Sequence, residues 1–546
     1  MSTHREMESP GPAPARVFVI LLYLAVSLWY FHWRLGSFNP EAMVFSWVLY
    51  CAEVFGLCTN LLHIFMTWRL TTREPPHASP GLSVDVFIPT INEPVDLVRR
   101  TLTAALHIAY PHQTWLLDDG NRRDMSELAQ ELGCHYLARS ENENAKAGNL
   151  NHALAHSEAD FVAVFDADHA PHKNFLDRTL GFFSNPRVAF VQTPQDFYNL
   201  DSYQHRRKSG NRTVWTEQSL FFRVIQRGKD YWNAAFYCGS CGVLRRSALD
   251  SIGGFGTGTV TEDLHTSIKL HKRGYRSVYY AEALAFGIAP PSVVPYLRQR
   301  TRWGQGAMQV WRKEGLLTAK GLTLQQRLCY LASMLTYFDG WQKAVFYFSP
   351  VLALTTGVLP VKALGWEFFQ HFIPFYLLTF LVLEELARGY GRTVLLAQYN
   401  MARFFAFAWA TLGLFRRALK FRVTQKGLAR IPRFRLYIVP QYLVFALNAM
   451  AIPLGFFLHG INGDLPDSAL IANIVWAAIN CALASALLYF TDRQSANRRA
   501  EYRFPVPLPA KIKASRQHAI YGTVDDISPS GVRIHARIPG SVETGT

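Results

Sequence analysis

The chain has 546 residues, 49% of them hydrophobic, which is too long for one ordinary domain and too unevenly apolar for a wholly water-soluble protein. Its formal charge of +16 is concentrated beside the longest apolar stretches, where anionic lipid headgroups account for it, and this sets nucleic acid aside as a partner. The 7 cysteines are scattered, and the lone Cys238-Gly-Ser-Cys241 lacks the second pair that a structural zinc site needs, so a cysteine-built metal or redox centre is set aside too.

In chain order, residues 17–33 and 43–68 are near-continuous apolar runs, each close to the ~20 residues that cross a hydrocarbon core; they predict a two-helix membrane hairpin over residues 1–70. The first run has no small-residue cleavage site and a second follows at once, so it reads as an anchor and not as a removable signal. Glu53 lies inside the second run and calls for a polar partner within the bundle. Between residues 71 and 340 charges are mixed and apolar runs are short, the texture of a soluble enzyme domain. Runs at 344–359, 368–383, 436–459 and 469–490 then predict four further spans. Residues 397–415 are apolar and aromatic but hold Gln398, Asn400 and Arg403, which predicts a helix lying in the membrane interface. Eight Lys or Arg in 416–435, against none in 461–468, assign the basic loop to the cytoplasm; two spans before the soluble domain and four after it put that domain and both termini there as well.

Within the soluble domain, residues 83–94 (SVDVFIPTINEP) read as a strand over 84–88 and a proline-bounded turn with Thr90, Asn92 and Glu93. The run 114–117 ends in Asp118, Asp119 and Gly120, and the run 161–165 ends in Asp166-x-Asp168. Three strands thus deliver acids or amides to one edge of a parallel sheet, where open α/β sheets bind nucleotides. Asp166 and Asp168 are two apart, so in extended backbone both side chains leave one face and converge on one cation. Mg²⁺ fits, since one or two carboxylates hold it while substrate phosphates complete its shell. Lys146, in NAKAGN, sits close to a glycine and suits approach to a phosphate. Thr261, Glu262 and Asp263 follow a glycine-rich stretch and open a helical pattern, with Asp263 in its first turn. Gln299, Arg302 and Trp303 form Q-x-x-R-W: a guanidinium that can fork onto a diphosphate, and an indole on which a sugar ring can stack.

This ordered set resembles the processive family 2 glycosyltransferases, and especially the bacterial cellulose synthase catalytic subunits, over nearly the whole chain. The resemblance implies an α/β GT-A domain over 83–315, inserted in an α-helical transmembrane bundle and binding UDP-glucose with Mg²⁺ or Mn²⁺. It further implies that Asp118 contacts the nucleotide, that Asp166 and Asp168 hold the diphosphate and metal, and that Asp263 is the general base. Arg302 would stabilise the leaving group, Trp303 would stack the acceptor, and Cys238, in FYCGS, would line the acceptor site. FRVTQKG (421–427), with Phe421, Thr424 and Lys426, resembles the family's gating loop, inside a region 316–491 of interfacial helices and four spans. The implied activity is inverting elongation of a β-glucan, cellulose above all, at the bacterial inner membrane, with a periplasmic export subunit as a partner. Two departures stand out: Ile91 replaces the Tyr that commonly precedes Asn92-Glu93, and QTPQDFYN (192–199) replaces a Phe-rich stretch of the cellulose makers. The second leaves a mixed-linkage or other β-polymer open as the product.

After the last span, Arg499-x-x-x-Arg503 and Asp526-x-Ser528-x-x-Gly531 match both halves of the PilZ signature. That resemblance implies cyclic di-GMP as an allosteric ligand of residues 497–546: two arginines clamp phosphates and stack on guanines, and Asp526 accepts from a guanine edge. The segment is short for a closed barrel, which predicts a partial β tail. Two rivals are weaker. A lipid-linked monosaccharide transferase needs neither the Q-x-x-R-W platform nor a gating loop, and a cyclic di-GMP receptor without catalytic activity does not need the full set of acids.

Overall fold

The structure, a computed structural model, describes residues 10–207, 214–362, 365–415, 434–460, 465–496, 509–513, 519–528 and 531–536. Phe421, Thr424, Lys426, Arg499 and Arg503 lie outside the described residues.

A seven-stranded sheet organises the soluble part, in spatial order Arg276–Tyr279, Val188–Gln192, Gly242–Arg245, Phe161–Val164, Val84–Thr90, Gln113–Asp118 and His135–Ala138. Val84–Thr90 pairs in parallel with Gln113–Asp118 and with Phe161–Val164, and Gln113–Asp118 pairs in parallel with His135–Ala138. The central strands are continuously apolar because both faces are covered. Val84, Val86, Ile88 and Ala163 join one core with the helices Val95–Leu106 and Arg123–Leu132; Phe87, Val162 and Val164 join the other with Ala145–His156. This is the GT-A layout.

The sheet is not wholly parallel. Gly242–Arg245 runs antiparallel to both its neighbours, Phe161–Val164 and Val188–Gln192. Nothing in the short run GVLR encodes direction, which comes from the chain path before it. The consequence is functional: a reversed strand begins where its neighbours end, so residues 238–241 arrive at the same edge as Asp118 and Asp166.

Five helices among the described residues are long and apolar enough to cross a membrane: Pro14–Gly36, Pro40–Thr67, Trp366–Ala387, Phe434–His459 and Asp467–Gln494. The sixth expected span, 344–359, falls in the helix Asp339–Thr356, which does not meet that standard. Its first turn carries Asp339, paired with Lys343 at 3.1 Å, and the helix packs among Met43–Thr67, Thr393–Thr411, Val439–Gly455 and Asp467–Ala496. These helices cover part of the polar turn, burying Gly340 and Gln342 and leaving Asp339 and Lys343 about a quarter exposed. Its Pro350 lacks an N–H, and the Trp476 indole N–H donates instead to the Phe346 carbonyl at 3.1 Å. Glu53 has its partner: Arg34 Nε lies 3.0 Å from one oxygen, and the Tyr30 hydroxyl donates to the other at 3.1 Å.

The segment expected in the interface forms the helix Thr393–Thr411, which is not among the five and packs between Val293–Glu314 and Asp339–Thr356. Two glycines set these close crossings. A Cβ on Gly304 would lie 2.6 Å from the Ala410 Cβ, and one on Gly340 would lie 2.3 Å from the Phe404 carbonyl oxygen. In the tail, Pro509–Lys513, Ala519–Ser528 and Gly531–Ala536 form a three-stranded antiparallel sheet, with Ser528 opposite Gly531 and Asp526 opposite Arg533.

Candidate active site

Thr90 and Asp118 end neighbouring strands in register, so the turns after them share one edge. The Glu93 carboxylate folds back on its own turn, accepting from the Thr90 hydroxyl at 2.8 Å and from the N–H groups of Ile91 and Asn92 at 2.9 and 3.2 Å. Asn92 is exposed. Asp118 is fully buried and accepts from the N–H groups of Gly120 and Arg122 at 2.9 and 2.6 Å and from the Tyr136 hydroxyl at 3.1 Å. Asp119 pairs with Arg139, whose Nη2 donates at 2.9 Å. Both acids therefore shape the turn as well as lining the edge. Arg122, Tyr136 and Arg139 were not legible as site residues: Arg122 lies in the turn itself, and Tyr136 and Arg139 arrive on and just after the neighbouring strand His135–Ala138.

Asp166 and Asp168 follow the central strand as expected, and the structure adds His169. One ligand atom from each of the three lies within 4.8 Å of the other two. His169 Nδ1 is 3.3 Å from Asp168 Oδ1 and 3.9 Å from Asp166 Oδ2, and neither buried ring nitrogen has a hydrogen-bond partner among the described residues. Two carboxylates and an orphaned imidazole fit a divalent cation with N/O preference. The tetrapeptide D-x-D-H contained this signal; the histidine reads as turn filler until the backbone folds it inward.

Lys146 joins this cluster. Its ammonium donates to Asp166 Oδ1 and to the Gly239 carbonyl and lies 4.0 Å from Glu262 Oε1. Burial opposes its charge, but Asp166, Glu262 and Asp263 overcome that and hold it above the ordinary lysine value. Lys146 thus bridges the two acidic motifs and the reversed strand's leading loop. That loop is gripped by the QTPQ stretch flagged as a departure: Cys238 N–H donates to Gln192 Oε1 at 2.8 Å and its carbonyl accepts from Gln195 Nε2 at 3.0 Å. Burial and the charge of Asp263 push the Cys238 thiol well above its usual range, so it stays protonated and inert.

Thr261 immediately precedes the helix Glu262–Lys272, whose first turn carries both acids. Asp263 Oδ1 accepts from the Leu264 N–H at 2.7 Å, and Oδ2 points at Gly239, 3.1 Å from where a Cβ there would stand. Gly239 has φ +83°, so its lack of a side chain serves both backbone and clearance. Burial first, and the neighbouring Glu262 carboxylate second, raise Asp263 to about 7. The helix Val293–Glu314 carries Gln299, Arg302 and Trp303 and seats this motif: Gln309 Oε1 accepts from the Val260 N–H at 3.0 Å, and a Cβ on Gly306 would lie 2.4 Å from Thr261 Cγ2. Arg302 is within Coulombic range of Glu262, Asp166 and Asp263; burial lowers its pKa, and those acids oppose the shift. Beyond Asp168 a cavity of ≈ 970 Å³ is bounded by Arg100, Gln195, Phe197, Arg223 and Arg392.

A carboxylate raised to about 7, an Asp-Asp-His cluster fit for a cation and the charged side chains of Lys146 and Arg302 thus lie near one another at one edge, and Trp303 follows Arg302 on the helix Val293–Glu314. Residues 85–253 match the family "Glycosyl transferase family 2", residues 250–389 match "Cellulose synthase" and residues 497–546 match "PilZ domain". Cellulose synthase 1 catalytic subunit (UDP-forming) of Komagataeibacter xylinus is 32% identical over 539 residues, covering 95% of this chain and 72% of that protein. The chain belongs to the cellulose synthase catalytic subunit family. A second member, from Pseudomonas fluorescens (strain SBW25), is 34% identical over 535 residues, 94% of this chain and 71% of that protein. The chain spans 36% of the length of another relative, cellulose synthase 1 of Komagataeibacter xylinus, at 32% identity over 558 residues. In this family setting, Q-x-x-R-W lies in the part matched as cellulose synthase and Asp166-x-Asp168 in the family 2 part. The residues gathered at this edge come from both matched parts.

Proposed function

We propose that the protein is a membrane-embedded, processive, inverting glycosyltransferase that elongates a β-glucan, cellulose from UDP-glucose, and exports it through its membrane helices. The observation that carries this reading is Asp263: a half-buried carboxylate raised to about 7, aimed at the Cys238-Gly239 loop beside the Asp166–Lys146 pair. An acceptor hydroxyl is a poor nucleophile until its proton leaves. Stacked on Trp303, the acceptor gives that proton to Asp263 as its oxygen attacks the anomeric carbon. The bond from that carbon to the UDP oxygen breaks, and the electron pair goes to the diphosphate, which Arg302 and Lys146 meet with positive charge. Attack opposite the leaving group turns an α-linked donor into a β-linked product. Asp166, Asp168 and His169 would hold Mg²⁺ or Mn²⁺, which supplies further charge neutralisation at the diphosphate when bound.

In this reading residues 1–70 anchor the chain, 83–315 catalyse, 316–491 form the interface and export path with the gating loop 421–427, and 497–546 regulate. The catalytic domain and both termini face the cytoplasm, and a periplasmic subunit receives the product. UDP release from UDP-glucose by the purified full chain with Mg²⁺ tests the activity; no turnover contradicts it.

Two expected outcomes follow from this assignment. Because Asp263 must be unprotonated to act, kcat rises with pH through about 7 and levels off above it. A rate that is flat across neutrality removes Asp263 from that role. For the tail, Arg499→Ala with Arg503→Ala eliminates measurable cyclic di-GMP binding in calorimetry, since losing one partner of a charged bidentate contact costs about 2 to 5 kcal/mol. Retained affinity places the nucleotide elsewhere.

A further inference from the structure

The helix Val293–Glu314 has two working faces. Gly306 and Gln309 turn to the Thr261 motif, while Gly304 meets Ala410 of the interfacial helix Thr393–Thr411. Arg300 belongs to the second face and is buried, at 5% exposure, yet it lies only two residues from Arg302 and three from Trp303. Its guanidinium covers the Trp303 ring, with Cζ 4.4 Å from the ring centroid, and also faces Tyr296 at 4.9 Å. Its Nη2 donates to one oxygen of Glu217. Arg403, from the interfacial helix, donates to the other oxygen of Glu217 through Nη1 and to Asn400 Oδ1 at 2.8 Å through Nη2. The side chains of Glu217, Arg300 and Arg403 are only 4%, 6% and 17% exposed.

One buried carboxylate thus ties together three parts of the molecule: the segment leading toward Cys238, the helix bearing the acceptor platform and the helix at the membrane interface. Planar guanidinium is suited to this, since it donates a fixed fork of N–H groups along one edge and stacks an aromatic face against its plane. We propose that Glu217 is a positioning residue for the acceptor: by fixing the Arg300 guanidinium over Trp303 it sets the plane of the indole on which the sugar stacks, and by holding Arg403 it locks that platform to the interfacial helix. The inference rests on the transferase reading given above and adds to it a specific device for acceptor alignment. Glu217 touches neither substrate nor metal site, so its removal acts on alignment, where displacement by about 1 Å costs up to about 100-fold in rate.

The test is Glu217→Gln in the full chain in lipid, with Glu217→Asp as the variant that restores the charge. Expected are a fall of about 10- to 100-fold in kcat for polymer formation, an unchanged KM for UDP-glucose, unchanged UDP affinity in Mg²⁺, and partial recovery of kcat in Glu217→Asp. Unchanged kcat, or UDP affinity lost in parallel with kcat, overturns the proposal. Should Glu217→Gln fail to fold, Arg300→Lys keeps a cation beside Glu217 but replaces the flat guanidinium over the indole. It is expected to lower kcat with UDP affinity intact, and an unaltered kcat again overturns the proposal. Absence of UDP-glucose turnover in the unaltered protein overturns the transferase reading and this inference together, whereas normal turnover in both protein and variants overturns the inference alone.

Discussion

Asp263→Asn abolishes polymer formation and leaves UDP affinity nearly intact. The carboxamide keeps the shape and can still accept from the Leu264 N–H, but it cannot take a proton from the acceptor hydroxyl. Loss of a general base lowers the rate by about 10²- to 10⁴-fold. The same substitution has an opposite effect on stability. Because the folded state holds the Asp263 proton up to about 7, far above the ordinary carboxylate range, its contribution to stability is present in acid and is lost as pH rises through about 7. Asp263→Asn therefore unfolds at a higher temperature than the unaltered protein above neutrality, and this advantage disappears in acid. Near-normal turnover in the variant, or a stability difference that does not depend on pH, contradicts the assignment.

Asp168→Ala and His169→Ala each weaken UDP binding in the presence of Mg²⁺ and leave metal-free binding unchanged. Asp168 and His169 are 1% and 3% exposed, so neither can be replaced by a mobile surface group. Removing one member of a buried charged contact costs about 2 kcal/mol or more, a factor of about 30 in affinity. Titration calorimetry with and without the cation separates the two situations. Equal losses in both identify a folding role; no loss in Mg²⁺ removes these residues from the cation site.

Asp118-Asp119 and Asp166-x-Asp168 were readable because each ends an apolar run, and the sheet's carboxyl edge gathers such ends. Thr261-Glu262-Asp263 was readable differently, as the first turn of a helix after a glycine-rich stretch. The Cys238 loop was readable only as a motif: its presence at the edge depends on the reversed strand Gly242–Arg245, a tertiary outcome. Glu217 shows the limit most clearly. In TVWTEQS it reads as a solvated turn acid, and its two arginine partners lie 83 and 186 residues away in sequence. The membrane part was legible by hydropathy except at Asp339–Thr356, where packing inside the bundle removes the demand for a fully apolar surface. Residues 421–427, expected as a gating loop, and the arginines Arg499 and Arg503 lie outside the described residues.

The most direct test of the central claim is linkage analysis of the material made by the purified full chain from UDP-glucose and Mg²⁺. The account predicts a polymer of β-1,4-linked glucose, formed with release of one UDP for each sugar added. A single sugar on a lipid, or a polymer with α linkages, contradicts it.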